Sequence, residues 1–225
     1  MPCRSCRTIS LRKIIMKAFK ILLIMPDAGI HKMSLWGKSI SFREAPLTLT
    51  ALAALTPANV NADVTIVDQS ISEVPLNESF DMVGISCLTG TALRGYELAK
   101  HFRSKGSKVV LGGVHVTLMP HEAAAHADSI ITGFAEEVWA QVVRDAYRGE
   151  LKESYHGNKV ALDNLTIPKR SLQKKLGYMM PNTVFATRGC KSSCDFCSVH
   201  AAKFGWQTRP IGQVVDEIRQ LKGTR

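Results

Sequence analysis

Several features that would place a chain in a specialised class are missing from this 225-residue sequence. No apolar run approaches the roughly 18 residues that a membrane-spanning helix needs, so no transmembrane segment is predicted. Internal repeats are absent, and glycine and proline are near average abundance, which argues against solenoids and disordered chains. Six unevenly placed cysteines are too few for a disulfide scaffold. With 45% hydrophobic and 21% charged residues, the chain is expected to bury one core or two small ones.

Acidic residues are scarce at both ends of the chain, and this gives the chain its net charge of +10. Residues 1–20 hold six basic and no acidic side chains, residues 21–150 have a net charge of −4, and residues 151–225 have a net charge of +8. A basic last third suits an anionic cofactor or substrate as well as it suits RNA. Because the larger middle part is mildly acidic, we do not expect a nucleic acid as the partner.

The first 17 residues lack the continuous apolar core of a secretory signal, because Arg12 and Lys13 interrupt their apolar segment. An arginine-rich, acid-free start resembles a transit peptide, and a start codon placed ahead of a true start at Met16 explains it equally well. We predict a disordered leader here. Cys3 and Cys6 form a C-x-x-C pair, but no strand–turn–helix pattern surrounds them.

From Phe19 onward, short apolar runs alternate with segments of helical periodicity. Such runs are typical of strands that are buried on both faces of a parallel sheet. The predicted strands are residues 19–25, 63–68, 81–87, 108–111 and 129–132, and the predicted helices are residues 46–56, 91–103 and 138–146. Gly106 and Gly149 follow the last two helices as stop signals. This order predicts an α/β fold with a five-stranded, parallel, doubly wound, flavodoxin-like sheet in a domain of residues 18–150.

The loops after the predicted strands are where such a sheet binds its ligand, beyond the carboxyl ends of the strands. These loops are residues 86–90, 112–115 and 133–136. Gly112 and Gly113 would let a ligand approach the backbone with no Cβ in the way, or would simply make a tight strand-to-helix turn. A G-x-G-x-x-G motif is absent after the first strand, which argues against a dinucleotide dehydrogenase.

The last third begins with a connector, predicted at residues 151–180, in which residues 154–163 could form a hairpin around Gly157 and Asn158. Residues 183–187 are predicted to form a strand. The apolar spacing from Ile211 to Leu221 predicts an amphipathic helix that starts after Pro210 and ends near Gly223. Strand, cysteine-rich loop and helix make one β/α unit, so residues 181–225 are expected to begin a second domain.

The cysteine-rich loop carries the most specific chemical signal of the sequence. Cys190, Cys194 and Cys197 form C-x-x-x-C-x-x-C, and thiols this crowded indicate a metal site in a reducing compartment, the cytoplasm. Three thiolates are one short of a closed set, so an iron–sulfur cluster here would keep one iron open for a substrate or cofactor. Zinc with His200 as fourth ligand is the competing interpretation, but it leaves the flanking strand and helix unexplained. Phe196 could pack locally or face a cofactor.

Residues 187–197 resemble the signature of radical S-adenosylmethionine (SAM) enzymes, including the aromatic residue before the last cysteine. Lys191 departs from the proline that is common there. The resemblance implies a [4Fe–4S] cluster on Cys190, Cys194 and Cys197, with SAM on the fourth iron and near Phe196. It also implies an external electron donor of the flavodoxin or ferredoxin type, and cleavage of SAM to a radical that abstracts hydrogen from a substrate.

The first 150 residues resemble the cobalamin-binding (B12-binding) domain that precedes one large radical SAM subgroup. Residues 86–88 match the S-x-L of that domain, residues 112–113 match its G-G, and residues 133–136 match its G-E-x-E except that Phe134 replaces the first Glu. The resemblance implies cobalamin contacts at Ser86, Leu88, Gly112, Gly113, His115, Gly133 and Glu136. The D-x-H-x-x-G motif is missing, since His31 follows Asp27 at the wrong spacing, so histidine ligation of cobalt from that loop is not expected.

The resemblance implies a cobalamin-binding radical SAM enzyme that transfers a methyl group or rearranges a ring on a small molecule. A non-catalytic corrinoid and iron–sulfur binding module is the alternative, because only one of about six β/α units of a radical SAM barrel follows Thr183. A truncated gene product, a fragment or completion by a second polypeptide would each account for this. The 225-residue chain alone is therefore expected to be inactive, and the sequence does not identify the substrate.

Overall fold

The computed structural model of the chain describes residues 18–29, 32–158 and 161–221. The strands of these residues are β1 (Phe19–Met25), β2 (Lys32–Leu35), β3 (Lys38–Glu44), β4 (Ala62–Asp68), β5 (Met82–Ser86), β6 (Lys108–Gly112), β7 (Ser129–Gly133), β8 (Ser154–Gly157), β9 (Tyr178–Met180), β10 (Thr187–Gly189) and β11 (Trp206–Thr208). The α-helices are α1 (Thr48–Leu55), α2 (Ala92–Ser104), α3 (Val114–Leu118), α4 (Pro120–Ala124), α5 (Ala135–Arg148), α6 (Ser198–Ala201) and α7 (Ile211–Gln220). The predicted leader, with Cys3 and Cys6, lies outside the described residues, as do His31 and Gly223.

A parallel sheet forms the centre of the fold, with its strands in the order β4-β1-β5-β6-β7-β8. Successive residues of β1 belong to opposite layers: Leu22 packs with the cluster that includes Phe102 of α2, and Leu23 packs with the cluster that includes Trp139 of α5. Helices therefore cover both faces of the sheet, which is why residues 21–25 of β1 form an unbroken apolar run. The predicted α/β class and the doubly wound parallel sheet are confirmed.

The sheet has a sixth strand that the sequence analysis did not predict. Residues 154–157 form β8, which pairs parallel to β7, so the hairpin predicted at residues 154–163 is wrong. The backbone of β8 approaches the loop after β7 so closely that a Cβ on Gly157 would lie 1.8 Å from the Phe134 carbonyl oxygen. Glycine at this position permits the pairing. The sheet thus extends past residue 150, where the first domain was predicted to end.

A second, three-stranded sheet joins the segment after β1 to the predicted connector, with the order β2-β3-β9. The Asp68 carboxylate, at the end of β4, holds this sheet in place. It accepts hydrogen bonds from the Arg43 guanidinium at 2.8 Å and from the Tyr178 hydroxyl at 2.7 Å. Asp68 is 5% exposed, and burial together with the Asp68 charge raises the pKa of Tyr178.

The strand predicted at residues 183–187 is wrong except for its last residue. The observed strand β10 pairs antiparallel with β11. Side chains satisfy backbone carbonyls of the predicted strand: the Arg170 guanidinium donates to the Thr183 carbonyl at 2.6 Å, and the Arg209 guanidinium donates to the Phe185 carbonyl at 3.4 Å. These oxygens are satisfied without a strand partner, so the ladder begins only at β10.

The predicted amphipathic helix is confirmed as α7, which begins at Ile211 after Pro210. Glu217 of this helix is buried, and both of its carboxylate oxygens accept hydrogen bonds, one from Arg170 and one from Arg209. The helix is thereby fixed to the connector and to the segment after β11. Within the residues described, no helix has the length and apolar composition needed to cross a bilayer.

Candidate functional site

A cavity of about 280 Å³ lies at the carboxyl edge of the main sheet. The register of the parallel strands brings their last residues together there, as Ser86 at the end of β5 pairs with Gly112 at the end of β6. Five of the seven predicted cobalamin contacts line this cavity: Ser86, Gly112, Gly113, Gly133 and Glu136. The structure therefore brings together most of the residues that the sequence analysis selected from three separate loops.

The walls of the cavity are mainly apolar. Strand residues such as Val110 and Ile131 form one side, Leu49 and Leu52 of α1 contribute another, and the Trp139 indole of α5 completes it. Drug-sized ligands take pockets of roughly 300–1,000 Å³. A cavity of about 280 Å³ can therefore take only part of a ligand as large as a corrinoid. The contributions of α1 and Trp139 to this cavity were not predicted from the sequence.

The two glycines after β6 have different roles. Gly113 has a φ of 101°, and a Cβ there would lie 2.6 Å from the Cys87 carbonyl oxygen, so this position is held by backbone conformation and close approach. A Cβ on Gly112 would meet only Ile131, at 3.8 Å, which is an ordinary contact. The sequence left two explanations open for this glycine pair, a tight turn or access for a ligand. Gly113 makes the tight turn, and Gly112 leaves space in the cavity lining.

A threonine hydroxyl connects two of the loops that line the cavity. The Gly133 N–H donates to Thr117 Oγ1 at 3.0 Å, and the same hydroxyl donates to the Gly113 carbonyl at 3.0 Å. Thr117 lies in α3, one turn after Gly113, so its side chain is in reach of both loops. One hydroxyl therefore fixes the spacing of the loops after β6 and β7.

Leu88 and His115, the other two predicted cobalamin contacts, are not part of the cavity lining. Leu88 is 44% exposed. His115 is buried, with Nε2 at 2.9 Å from the Tyr96 hydroxyl and Nδ1 at 3.4 Å from the Thr89 hydroxyl. The Tyr96 hydroxyl donates to Glu122 at 3.1 Å, and burial raises the pKa of Tyr96. The His115 ring is thus engaged in a polar network beside the cavity.

Cys87 follows β5 and is fully buried. A Cβ on Gly95 of α2 would lie 2.4 Å from its sulfur, which shows how closely the helix packs against this thiol. Burial raises the pKa of Cys87 to about 12. These properties are those of a structural cysteine and not of a reactive thiol.

The three clustered cysteines lie between β10 and β11. Cys190 and Cys194 are exposed, Cys197 is half-buried, and all three are free thiols. The Ser192 N–H donates to the Cys190 sulfur at 3.4 Å, and this hydrogen bond lowers the pKa of Cys190. Three accessible thiols on one loop are a chemically suitable donor set for a [4Fe–4S] cluster.

The structure does not gather these thiols into a ligand set. Across residues 18–29, 32–158 and 161–221, no three His, Cys, Asp or Glu side chains are grouped as a metal ion would require. His200, the ligand of the zinc alternative, is exposed in α6, and Phe196 is 93% exposed. The cluster, the zinc site and the SAM contact of Phe196 all stay predictions.

The segment that carries the cysteines also forms part of the cavity wall, through Phe185, Arg188 and Phe204. The Arg188 guanidinium donates to the Glu136 carboxylate at 2.6 Å, and the Phe134 and Phe204 rings lie 5.1 Å apart. The sequence analysis did not single out Arg188 for this contact. Its partner is 52 residues away in the chain, so no local pattern could have indicated the pair.

Comparisons with known proteins support the sequence resemblance. Residues 35–143 match the family model of the B12 binding domain. Bacteriochlorophyllide d C-8(2)-methyltransferase of Chlorobaculum tepidum is 36% identical over 159 residues, which cover 67% of this chain and 35% of that protein. Bacteriochlorophyllide d C-12(1)-methyltransferase of the same organism is 32% identical over 212 residues, which cover 89% of this chain and 44% of that protein.

A solved structure with a similar fold is the radical S-adenosylmethionine methyltransferase TsrM from Kitasatospora setae, with cobalamin and a [4Fe–4S] cluster bound. The TM-score is 0.59 at 16% identity, over 91% of this chain and 47% of TsrM, so this likeness concerns the fold. The chain spans less than half the length of each of these three proteins. The chain thus matches the B12 binding domain family over residues 35–143 and is homologous to the two bacteriochlorophyllide methyltransferases over the lengths given above.

Proposed function

We propose that this chain is part of a cobalamin-dependent radical SAM methyltransferase whose substrate is a small molecule of the tetrapyrrole class. The proposal places part of a corrinoid in the cavity at the carboxyl edge of the sheet. It places a [4Fe–4S] cluster on Cys190, Cys194 and Cys197. The two Chlorobaculum tepidum relatives are named as methyltransferases of bacteriochlorophyllide d, which favours methyl transfer over ring rearrangement and over a non-catalytic module.

One observation carries the proposal: a single cavity is lined both by the glycine loops of the B12-binding domain and by the segment that bears the cysteines. Gly112 and Gly133 come from the loops, and Arg188 and Phe204 come from the cysteine-bearing segment. A methyl transfer that uses a corrinoid and SAM needs the two cofactors to share one reaction space. Walls contributed by both parts of the chain support such a shared space.

The cavity residues suit binding more than acid–base chemistry. The apolar side chains of Leu52, Ile131 and Trp139 exclude water from the cavity, and Gly112 allows a ligand to approach the backbone. His115 is engaged with Tyr96 outside the cavity lining, so the proposal assigns it no role as a ligand of cobalt. When bound, the corrinoid supplies a cobalt centre that carries a methyl group, and the cluster supplies the electron that cleaves SAM.

The electron is proposed to come from an external donor of the flavodoxin or ferredoxin type. The net charge of +8 on residues 151–225 supports an acidic partner at the cysteine-bearing part of the chain. This interaction, like the cytoplasmic location and the tetrapyrrole substrate, belongs to the proposal.

The proposal is tested by loading the 225-residue chain with both cofactors under anaerobic conditions. Iron, sulfide and hydroxocobalamin are added together, unbound material is removed by desalting, and iron, cobalt and zinc are measured per chain. We expect about four iron atoms per chain, as in one [4Fe–4S] cluster, together with one corrinoid. Cys190→Ala, Cys194→Ala and Cys197→Ala should each lose the iron and keep the cobalt, whereas Cys87→Ala should keep both.

Two outcomes would contradict the proposal in different ways. A colourless chain that holds one zinc ion, lost on His200→Ala, would favour the zinc site. A chain that binds the corrinoid without iron, even after reconstitution, would favour the corrinoid-binding module.

A further inference from the structure

The ion pair between Arg188 and Glu136 directly connects the two proposed cofactor sites. Glu136 lies in the first turn of α5, directly after the loop that follows β7, and Arg188 lies in β10, two residues before Cys190. The guanidinium-to-carboxylate distance is 2.6 Å, and both side chains line the cavity. Any ligand that fills the cavity therefore has access to both partners of the pair.

The Arg188–Glu136 pair is largely protected from water, so its electrostatic attraction should be strong enough to measure. The side chains of Arg188 and Glu136 are 16% and 19% exposed, so their attraction is screened less than that of a surface pair. The Arg188 guanidinium also lies over the Phe134 ring at 5.2 Å and the Phe185 ring at 5.7 Å. Arg188 is thus held by one charge and two aromatic faces.

The connection from Arg188 to the cysteine loop is short and stiff. Gly189, between Arg188 and Cys190, has a φ of 79°, and a Cβ there would lie 1.5 Å from the Gly205 carbonyl oxygen. The Cys190 N–H donates to that same oxygen at 3.0 Å. Arg188 and the first cysteine are therefore joined through a single residue, and the backbone on both sides of that residue is held against residues 205–207.

Cavities adjoin the pair on more than one side. Arg188 and Glu136 line the corrinoid cavity and also a second cavity of about 200 Å³ next to Leu165 and Pro168 of the connector. The packing around the two side chains is therefore incomplete, so their position depends on the ion pair and on whatever fills the adjoining space. A ligand that fills one of these cavities can therefore shift the position of the two side chains.

We propose that the Arg188–Glu136 pair couples the two cofactor sites, so that filling the corrinoid cavity orders the cysteine loop and an assembled cluster tightens corrinoid binding. The coupling rests on the proposed function, because it requires a corrinoid in the cavity and a cluster on the cysteines. A ligand in the cavity excludes water from the pair and strengthens it, since the same charges attract more strongly at lower dielectric. The two affinity changes are reciprocal by thermodynamic linkage.

The first experiment uses the 225-residue chain with no cofactor and measures amide hydrogen exchange in residues 187–208. Glu136→Gln keeps the size of the side chain and removes its charge, so exchange in this segment should become faster. Glu137→Gln is the matched control, because Glu137 is the next residue of α5 and accepts from the Asn158 N–H instead. Unchanged exchange in Glu136→Gln would overturn the proposal without reference to any cofactor.

The second experiment titrates hydroxocobalamin into the chain with and without the reconstituted cluster and compares the dissociation constants. In the wild type and in Glu137→Gln, the cluster should lower the dissociation constant at least about fivefold, the lower end of typical couplings between sites. In Glu136→Gln and Arg188→Gln the ratio should fall towards one, while iron content stays unchanged. The exchanged pair Glu136→Arg with Arg188→Glu should restore part of the ratio, which would show that the pairing of opposite charges, and not the identity of either side chain, carries the coupling.

The outcomes of the second experiment distinguish a failure of the coupling from a failure of the proposed function. A wild-type chain that binds iron and corrinoid with a ratio of one contradicts the coupling and leaves the proposed function standing. A wild-type chain that binds no corrinoid at all contradicts both.

Discussion

The Thr117 hydroxyl accepts a hydrogen bond from the Gly133 N–H at 3.0 Å and so ties the loop after β6 to the loop after β7. Thr117→Val keeps the shape of the side chain and removes the hydroxyl. We expect it to lower the free energy of unfolding by about 1 kcal/mol, the usual net contribution of one such hydrogen bond. Corrinoid affinity should fall severalfold because the two loops lose their fixed spacing. Urea unfolding and hydroxocobalamin titration measure the two effects.

Thr117→Ser is the control for this prediction, since serine keeps the hydroxyl. It should retain most of the corrinoid affinity that Thr117→Val loses. A Thr117→Val variant that keeps its corrinoid affinity while Thr117→Ser loses it would show that the methyl group of Thr117, and not its hydrogen bond, sets the loop spacing.

Gly112 and Gly113 should respond differently to substitution. A Cβ at Gly112 meets only Ile131, at 3.8 Å, so Gly112→Val should fold normally. Its side chain should occupy cavity space and weaken hydroxocobalamin binding at least about tenfold, which corresponds to about 1.4 kcal/mol. Gly113→Ala instead forces a φ of 101° and a contact of 2.6 Å with the Cys87 carbonyl. It should cost about 1–3 kcal/mol of stability.

Thermal unfolding and corrinoid titration of both variants check this difference. If Gly112→Val loses as much stability as Gly113→Ala, there is no open space beside Gly112 for a ligand to occupy.

Cys87 should resist alkylation in the folded chain. Burial raises its pKa from 9.0 to about 12, so almost none of its thiol is ionised at pH 8. We expect iodoacetamide to modify Cys87 at least about 100-fold more slowly than the exposed Cys194, because the thiolate is the reactive form. Mass spectrometry of peptides from native and urea-unfolded protein measures both rates. Rapid modification of Cys87 in the native protein would contradict its burial.

The raised pKa of Cys87 also determines the direction in which the free energy of unfolding changes with pH. The protonated Cys87 thiol is favoured in the folded state, so its contribution is complete below pH 9 and is lost as pH rises towards 12. The free energy of unfolding of the wild type should therefore fall over this range more steeply than that of Cys87→Ala. Parallel curves for the two proteins would show that the thiol ionises freely in the folded state.

Asp68 should be a stability determinant of the second sheet. Its carboxylate accepts from Arg43 at 2.8 Å and from Tyr178 at 2.7 Å, and its side chain is 4% exposed. Asp68→Asn leaves the largely buried Arg43 without its counter-charge and should cost about 3 kcal/mol in urea unfolding. Tyr178→Phe should cost about 1 kcal/mol.

The control for Asp68 is the exposed pair of Lys32 and Glu73, 3.6 Å apart, whose loss in Glu73→Gln should cost less than about 0.5 kcal/mol. A similar loss for Asp68→Asn and Glu73→Gln would show that the buried carboxylate does not hold the sheet in place.

The main sheet could be predicted from the sequence because β1, β5, β6 and β7 each hold a run of consecutive buried residues bounded by turn residues. Strand β4, at the edge of the sheet, is less buried, but its apolar residues alternate with polar ones as expected of a strand with one covered face. Strand β8 could not be predicted: of its four residues only Tyr155 is large and apolar, and Gly157 followed by Asn158 is also a turn signal. Its pairing depends on the close approach of Gly157 to the loop after β7. Strand β2 is only four residues long and β3 is largely polar. A contact between Asp68 and Tyr178, 110 residues apart, keeps their sheet in place.

In the candidate site too, some residues could be predicted from the sequence and others could not. Ser86, Gly112 and Gly133 could be selected because parallel strands end at one edge, whatever the packing of their side chains. The orientation of His115 could not be predicted, because it depends on the Tyr96 hydroxyl of α2. The pairing of Arg188 with Glu136 likewise requires the relative position of two distant segments.

The central claim is that the cavity at the carboxyl edge of the sheet is where a corrinoid binds. Hydrogen exchange of the cluster-free wild-type chain, measured with and without saturating hydroxocobalamin, tests it most directly. The account predicts one corrinoid per chain. Amide exchange should slow most at residues 86–90, 112–117 and 133–139 and less at residues 187–208. Saturable binding with protection only elsewhere, or no binding at micromolar corrinoid, would contradict it.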